Sequence, residues 1–450
     1  MQFIPNTSQE KQMLKAIHIE KIEDLFSDIP SSMRLKKLSL ADGISQMEIE
    51  RRMQKMALKN KSCKKHLSFI GGGIKPHYIP AVVKAITQRP EFYTAYTPYQ
   101  SEASQGFLQS MFEFQSIITE ITGMDIANCS LYDGSTALAE AMLMCSRIKR
   151  KRNTFIIPSN ISWEKKSVLH NYAKGTNIRI KEIPYHPKTG CVDIDQLQKE
   201  IDETVFGVYI ENPNFFGILE KDVSTIDNIV HDAQSLFVVG VDPLSLGLIK
   251  KPASYGADIV IGEGRSLGNA MDYVGSGLGL FACKKQYLRQ IPGRLIGKTK
   301  DNQGNKAFCM TMQTREQHIR RGRATSNICT NEGLCALAAV VYLSWLGGNG
   351  LQKLSQTNFE QTQHFIETIT SLNGFETKFT SVSFNECVLK TSITPRKLNS
   401  FLLKKKIHGG LILKEYYPNM KNTLLFGITE THSKEDIQFL AETLREVSNV

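Results

Sequence analysis

Residues 236–269, LFVVGVDPLSLGLIKKPASYGADIVIGEGRSLGN, decide the fold expected for this chain. Two apolar runs in this stretch, Leu236–Val241 and Ile259–Ile261, are rich in Val and Ile. Such runs are typical of strands that are buried on both faces of a parallel sheet. Asp242 directly follows the first run, so we expect its carboxylate at the edge of the sheet where α/β proteins bind ligands.

Strand and helix patterns alternate on both sides of this stretch. Further apolar runs occur at 154–157, 178–183 and 205–210, with helical patterns near 163–174, 194–202 and 224–234. This spacing predicts a mostly parallel sheet with helices on both faces. Strand patterns near 384–390 and 423–428 then precede a closing helix at 434–447. The predicted fold is therefore α/β, with a large sheet domain and a smaller C-terminal α+β domain.

Changes in composition and sequence pattern divide the chain into three predicted parts: a helical N-terminal arm at 1–64, the large domain at 65–332 and the small domain at 333–450. In the arm, Ser45 and Glu48 form a capping-box pattern at the start of an amphipathic helix. The longest apolar stretch, Leu334–Leu346, is shorter than the roughly 20 residues that a bilayer helix needs. We expect it to be a buried helix, and we expect no membrane span.

Composition and charge predict a cytoplasmic protein with a basic surface. Of the 450 residues, 41% are hydrophobic, and 55 Lys and Arg against 44 Asp and Glu give a net charge of +11. The cysteines and histidines show no metal-ligand spacing, so we expect neither a metal site nor disulfides. The basic run 147–152 has no interleaved aromatic residues, which favours a solvated helix end over nucleic-acid binding. An acidic protein partner suits the charge better.

Three short motifs together suggest a site for pyridoxal phosphate (PLP). Asp242 is placed to pair with the pyridinium nitrogen of PLP. Asn212-Pro213-Asn214 follows another strand, and the loop 132–136 precedes a helix whose N-terminal amides suit a phosphate. Each motif alone is better explained by a strand end or a capped helix. In this order they favour the large domain of a PLP-type enzyme.

A PLP enzyme also needs a lysine to form the Schiff base, and this chain lacks one at the expected place. The lysine should follow the strand after Asp242, but no lysine occurs from Ala253 to Cys283. Arg265 lies in that segment, and its guanidinium is not a usable amine nucleophile. The sequence therefore predicts a PLP-type fold without a catalytic lysine of its own.

Several long blocks of the sequence resemble one family. They are IPNTSQEKQMLKAI at 4–17, PEFYTAYTPYQSEASQG at 90–106, ITGMDIANCSLYDGSTALAEA at 121–141, GADIVIGEGRSLGN at 256–269 and TREQHIRRGRATSNICTNEGL at 314–334. These blocks are similar to subunit 1 of glycine dehydrogenase (decarboxylating), the P protein of the glycine cleavage system in its bacterial two-subunit form. The resemblance runs from about residue 3 to the C-terminus and implies the type I aminotransferase fold.

The resemblance implies an oxidoreductase of glycine catabolism that is active only together with a homologous subunit 2, as a heterotetramer with two copies of each subunit. Subunit 2 would hold PLP covalently, and this chain would complete the active site. Glycine would be decarboxylated with release of CO₂. The aminomethyl group would then pass to the lipoyl group of the H protein, a carrier that is typically acidic.

The resemblance also suggests which residues of this chain belong to the shared inter-subunit site. They are Tyr96, Tyr99, Glu102, Ser104 and Gln105 in one block, and Thr325, Ser326 and Asn327 in another. Arg315, Arg320 and Arg321 near the second block are interpreted as interface ion-pairing residues, with attraction of a carboxylate or phosphate as the alternative. Asp242 is interpreted as a remnant of a cofactor position.

Two other hypotheses stay open. The family usually has glutamine where Arg265 stands, and a small or acidic pair where Lys75-Pro76 stands. Such departures are compatible with a catalytically divergent scaffold or regulatory subunit. The second hypothesis is an autonomous PLP enzyme that uses an unexpected lysine such as Lys284.

Overall fold

The computed structural model describes residues 7–35, 37–95 and 97–448, which separate into two compact units between Lys61 and Ser62. The first unit contains helices α1 (Glu10–Ala16) and α2 (Gln46–Ala57). Ser45 Oγ accepts a hydrogen bond from Glu48 N at 3.3 Å, so the capping residue predicted for α2 is confirmed. Neither helix buries a residue.

The second unit contains fifteen strands and eleven helices among the described residues. The strands are β1 (Leu67–Ser68), β2 (Ile126–Ala127), β3 (Thr154–Pro158), β4 (Arg179–Ile183), β5 (Val205–Glu211), β6 (Leu236–Val241), β7 (Ile259–Glu263), β8 (Gly279–Cys283), β9 (Leu295–Lys300), β10 (Lys306–Thr311), β11 (Phe375–Thr377), β12 (Glu386–Thr391), β13 (Ile407–His408), β14 (Leu411–Ile412) and β15 (Thr423–Gly427). The helices are α3 (Ala81–Thr87), α4 (Pro90–Tyr93), α5 (Gln105–Thr122), α6 (Gly134–Ile148), α7 (Trp163–Ala173), α8 (Ile194–Glu200), α9 (Val223–Asp232), α10 (Gln317–Arg320), α11 (Gly333–Thr370), α12 (Pro395–Lys404) and α13 (Lys434–Ser448).

The largest sheet has seven strands in the order β2-β8-β7-β6-β5-β3-β4. The five strands predicted from apolar runs, β3 to β7, pair in parallel with their neighbours. The predicted mostly parallel sheet is therefore confirmed. The strands β8 and β2 were not predicted, and they extend the sheet in antiparallel fashion beyond β7.

Helices cover both faces of this sheet, as predicted. On one face, α5, α9 and the first half of α11 pack against alternate side chains of β5 and β6, such as Val208 and Val239. On the other face, α6 and α7 pack against Phe206 and Val238. Strands buried on both faces cannot show a polar alternation, which explains the continuous apolar runs in the sequence.

The C-terminal part of the chain forms a four-stranded antiparallel sheet, β11-β12-β15-β14. Its core contacts α12, α13 and the second half of α11. By length and composition, α11 is the one helix in the described part of the chain that could cross a membrane. Of its most apolar 18-residue stretch, 44% is buried. Leu337, Ala339 and Tyr342 of α11 are core residues, so the buried helix predicted here is confirmed. The domain boundary near residue 332 stays a prediction.

Candidate functional site

A cavity of about 110 Å³ lies at the carboxyl ends of the central strands. Glu211 ends β5, Asp242 follows β6 and Glu263 ends β7, and all three residues line this cavity. A parallel sheet brings the ends of its strands to one edge, which is where α/β folds bind ligands. The facing wall comes from residues 73–77, Phe384 and Glu386. Asp242 therefore lies at the sheet edge where the sequence placed it.

Asp242 is held in place by two hydrogen bonds. Its Oδ1 accepts from Leu244 N at 3.0 Å, and its Oδ2 accepts from Asn385 Nδ2 at 3.1 Å. No Lys, Arg or His of the described residues forms an ion pair with it. Asp242 is thus a fixed carboxylate without a cationic partner.

Two lysine–glutamate pairs also line the cavity, and sequence reasoning missed both. Lys165 Nζ contacts Glu211, whose Oε1 also accepts from Tyr209 Oη at 2.8 Å. Lys75 Nζ lies 3.6 Å from Glu386, whose Oε1 accepts from Gly72 N at 2.5 Å and Gly73 N at 2.9 Å. Each pair joins segments that are distant in sequence, so no local spacing predicted it.

The glycine run at 71–73 packs closely and lies beside this cavity. A Cβ on Gly71 would lie 2.9 Å from Leu425 O, and Gly72 and Gly73 have φ angles of +107° and +91°. Side chains other than glycine rarely adopt such angles. These glycines therefore serve a tight turn and close packing.

The N-terminus of α6, where the sequence suggested a phosphate site, is occupied by carboxylates. Asp133 Oδ1 accepts from Thr136 N at 2.7 Å, and Glu263 Oε2 accepts from Gly134 N at 3.0 Å. Glu263 Oε1 accepts from the backbone N atoms of Arg265 and Leu278, both at 3.0 Å. A phosphate at these amides would face like charges, which repel by roughly 4 kcal/mol at 4 Å near a protein surface.

Arg265 lines the same cavity and is only 9% exposed. Its Nη2 donates weakly to Gly275 O at 3.4 Å, while its Nε and Nη1 have no hydrogen-bond partner in the described part of the chain. An arginine in place of a lysine, together with carboxylates at the α6 amides, does not fit PLP. The residues of this cavity therefore agree with the missing lysine in the sequence.

Lys284, the lysine considered for an autonomous PLP enzyme, lies at the opposite edge of the sheet. Its Nζ donates to Asp258 Oδ1 at 2.7 Å and to Gly256 O at 3.2 Å, and both partners precede β7. Asp242 follows the other end of the neighbouring strand, roughly 13 Å away at about 3.3 Å per residue. Lys284 is thus too far from Asp242 to share a site with it.

The Asn212-Pro213-Asn214 loop is built around a buried carboxyl group. Asn214 Nδ2 donates to Glu220 Oε1 at 3.2 Å, and Val192 N donates to both oxygens of Glu220 at 3.1 Å. Glu220 N in turn donates to Asn212 Oδ1 at 3.1 Å. Burial raises the pKa of Glu220 to about 7, although these donors oppose that shift. The motif therefore shapes one wall of the cavity.

A second, more open recess of about 470 Å³ contains two residues of the predicted shared site, Tyr99 and Asn327. The ring of Tyr99 packs edge-on against His318 at 5.9 Å, and the Arg294 guanidinium lies 5.7 Å from its centre. Thr325 and Ser326 line an adjoining small cavity beside Arg294. The structure therefore brings these four predicted residues into one neighbourhood, apart from Asp242.

The other residues of the first block differ in position. Gln105 bridges α5 to the β9–β10 hairpin, because its Nε2 donates to Phe308 O at 2.8 Å and its Oε1 accepts from Phe308 N at 2.9 Å. Glu102 is exposed, and Ser104 precedes α5 without a side-chain capping bond. Tyr96 lies outside the described residues. Gln105 thus has a structural contact that the sequence did not reveal.

The three arginines near the second block have different roles. Arg315 donates to the backbone oxygens of Ile291 and Gly293, and burial lowers its pKa. Arg320 Nε donates to Thr314 O at 3.2 Å, while Arg321 lines the open recess. Sequence reasoning missed Arg294, which donates to Thr330 Oγ1 at 3.0 Å and Cys329 O at 3.1 Å. Nothing in its local sequence marked it.

Comparison with known proteins gives consistent matches over the whole length of the chain. The sequence profile of the glycine cleavage system P-protein matches residues 1–444. The probable glycine dehydrogenase (decarboxylating) subunit 1 of Desulfitobacterium hafniense is 45% identical, covering 99% of this chain and all of the relative. Its counterpart from Thermococcus onnurineus is also 45% identical, with 99% of each chain covered.

Solved structures agree with this result. A glycine decarboxylase (P-protein) of the glycine cleavage system, crystallised in inhibitor-bound form, is 37% identical with a TM-score of 0.90 over 99% of this chain and 100% of that one. A glutamate decarboxylase from Lactobacillus brevis has a TM-score of 0.68 at 13% identity over 93% of this chain and 97% of that one, a likeness of fold alone.

Proposed function

The chain belongs to the glycine cleavage system P-protein family, and we propose that it is subunit 1 of a glycine dehydrogenase (decarboxylating). Its fold is that of the type I PLP-dependent enzymes. The observation that carries the proposal is the pairing of full-length family similarity with a strand-end cavity that does not fit PLP. The chain thus contributes to an active site whose cofactor the partner subunit holds.

In this proposal subunit 2 binds PLP covalently, and the two chains assemble as a heterotetramer. When bound, PLP supplies an electron sink for the electron pair left on glycine as its carboxylate departs as CO₂. The aminomethyl group then passes to the lipoyl group of the H protein. Support for a partner subunit comes from the words "subunit 1" in the names of the relatives.

The recess around Tyr99 is our candidate for the surface that completes the partner's site. Arg321 lines it, and the one carboxylate among its described lining residues, Glu316, is paired with His318, so Arg321 favours a carboxylate substrate or a phosphate on the facing chain. Tyr99 is 56% exposed, so its ring is available to exclude water from a facing site. We therefore assign positioning roles to Tyr99, Asn327 and their neighbours.

The N-terminal unit supports the pairing with subunit 2. Helix α2 exposes Ile49, Met53 and Met56 on one face, between 46% and 59% each, and no residue of the helix is buried. Monomeric proteins rarely expose a continuous apolar face of this kind, which marks such a face as an interface. We assign α2 to contact with subunit 2.

The charge and the composition complete the proposal. A net charge of +11 suits recognition of an acidic lipoyl carrier, since complementary charge speeds the encounter of two proteins. We place the complex in the cytoplasm. The alternative of a divergent scaffold or regulatory subunit is favoured by one observation, the Arg265 substitution beside Asp242.

Reconstitution tests this proposal. The purified chain should be free of PLP, and mixing it with subunit 2 should permit exchange of the glycine carboxyl group with bicarbonate. Tyr99→Ala should lower this exchange about tenfold while the subunits still associate, and Tyr93→Ala, also an exposed tyrosine at 69%, serves as the control. Association with a competent subunit 2 but no exchange by the native complex would support the scaffold alternative.

A further inference from the structure

Two polar side chains that line the strand-end cavity, and a third beside its lining residue Asp242, have buried atoms without a hydrogen-bond partner in the described part of the chain. Arg265 Nε and Nη1 and Ser266 Oγ have no hydrogen-bond partner in the described part of the chain, and both residues line the cavity. Asn385, whose Nδ2 donates to Asp242, has an Oδ1 that is buried and unpartnered. Buried polar groups in native proteins are normally paired, so a cluster of orphaned donors and acceptors points to a missing ligand.

The charges that line the cavity restrict the chemistry of that ligand. Within each of the pairs Lys165–Glu211 and Lys75–Glu386, the charge of the lysine offsets that of the glutamate. His77 is paired with Glu430. Among the described lining residues this leaves one cation without an ion-pair partner, Arg265, and two carboxylates held only by neutral donors, Asp242 and Glu263. A phosphate or another simple anion would raise the negative charge further. A ligand that carries one positive and one negative charge leaves the net charge of the cavity unchanged. Its negative group can pair with Arg265, and its positive group with Asp242.

We propose that this cavity is a binding site for a small zwitterionic amino acid, separate from the catalytic site that the complex forms. Arg265 pairs with the carboxylate of the ligand, with Ser266 Oγ as an additional donor. Asp242, which lines the cavity, accepts a hydrogen bond from its ammonium group. The role of Arg265 follows from its planar set of donors, which matches a carboxylate in geometry and charge.

The size of the cavity sets an upper limit on the ligand. Its 110 Å³ corresponds to roughly seven to eleven water-sized volumes at about 10–15 Å³ each. Glycine and alanine are within that limit.

Calorimetric titration of the full chain without subunit 2 tests the proposal. We expect glycine or alanine to bind with one site per chain. Acetate and methylamine, which each carry half of the zwitterion, should bind at least about tenfold more weakly, since a hydrogen bond to a charged group is worth roughly 1.5–3 kcal/mol. Inorganic phosphate is the anion control and should not bind at this site.

Matched variants locate the site. Arg265→Gln should weaken glycine binding at least tenfold, and Asp242→Asn should weaken it while leaving acetate binding unchanged. Arg396→Gln, at an exposed arginine that pairs with Glu415, should have no effect. Thermal unfolding of each variant verifies that it is folded.

Three results would overturn the proposal: no binding of either amino acid, glycine binding that Arg265→Gln leaves unchanged, or phosphate binding tighter than glycine binding. The proposed function enters only in the choice of glycine as a probe. Because the titration involves no turnover, its failure is distinct from a failure of carboxyl exchange in the reconstituted complex.

Discussion

Glu220 offers the sharpest test of the energetics of this fold. Its carboxyl group is buried behind the Asn212–Asn214 loop, and burial raises its pKa to about 7. Below the usual pKa of about 4.3, the folded and unfolded chains both carry the proton. Between that value and about 7 only the folded chain keeps the proton, so stability falls as pH rises. Above pH 7 the loss is complete, and the deprotonated group destabilises the folded chain.

The size of this effect follows from the pKa difference. One pKa unit corresponds to about 1.4 kcal/mol, so a rise to about 7 corresponds to roughly 3 kcal/mol. Glu220→Gln removes the titration, and Gln can still accept from Val192 N and Asn214 Nδ2. Between pH 4.5 and pH 8, the free energy of unfolding of the variant should therefore rise relative to that of the native chain by up to about 3 kcal/mol.

Urea unfolding of the two chains at pH 5, 6, 7 and 8 measures this difference. Glu442→Gln is the control, because Glu442 is an exposed glutamate on α13. The control should show no pH-dependent gain over the native chain. A constant difference between Glu220→Gln and the native chain across this range would refute the burial argument.

Three further predictions concern contacts described above. Gln105→Leu removes the bridge to Phe308 and should lower the free energy of unfolding by about 2–3 kcal/mol in urea, whereas Gln356→Leu, at an exposed site, should not. Ile49→Glu with Met53→Glu should weaken association with subunit 2 at least tenfold in sedimentation experiments, with unchanged unfolding of the large unit; equal affinity would contradict the role of α2. Lys284→Gln should leave carboxyl exchange in the complex intact, and loss of exchange would revive a catalytic role for this lysine.

The central sheet was predictable because its strands are buried on both faces. A short, continuous apolar run such as Leu236–Val241 is typical of a buried strand. Because a helix lies between successive runs, the strands are expected to be parallel. The strands β2 and β8 were not predicted as sheet extensions. β2 has two residues, and β8 follows a turn-rich segment in which no helical pattern separates it from β7. Antiparallel additions at a sheet edge lack the helix that signals a parallel strand.

The candidate site was only partly predictable for a different physical reason. Asp242 was found because a residue directly after an apolar strand lies at the edge of the sheet where α/β folds bind ligands. The partners Lys165–Glu211 and Lys75–Glu386 depend on contacts between residues 46 and 311 positions apart in the chain, which no local pattern records. Gln105 was predicted as a site residue from its block, but its side chain bonds to a backbone that only folding brings near.

The carboxylate of Glu263 at the start of α6 has a consequence for the evolutionary history of this chain. Arg265→Lys alone would restore an amine near Asp242 but would leave Glu263 on the Gly134 amide that a phosphate would need. Glu263 also holds the backbone of Arg265 and Leu278, so its removal disturbs the same turn that would carry the new lysine. Cofactor chemistry on this chain would thus require several changes together. The proposed arrangement, in which the partner subunit holds the cofactor, would therefore be difficult to reverse by single substitutions.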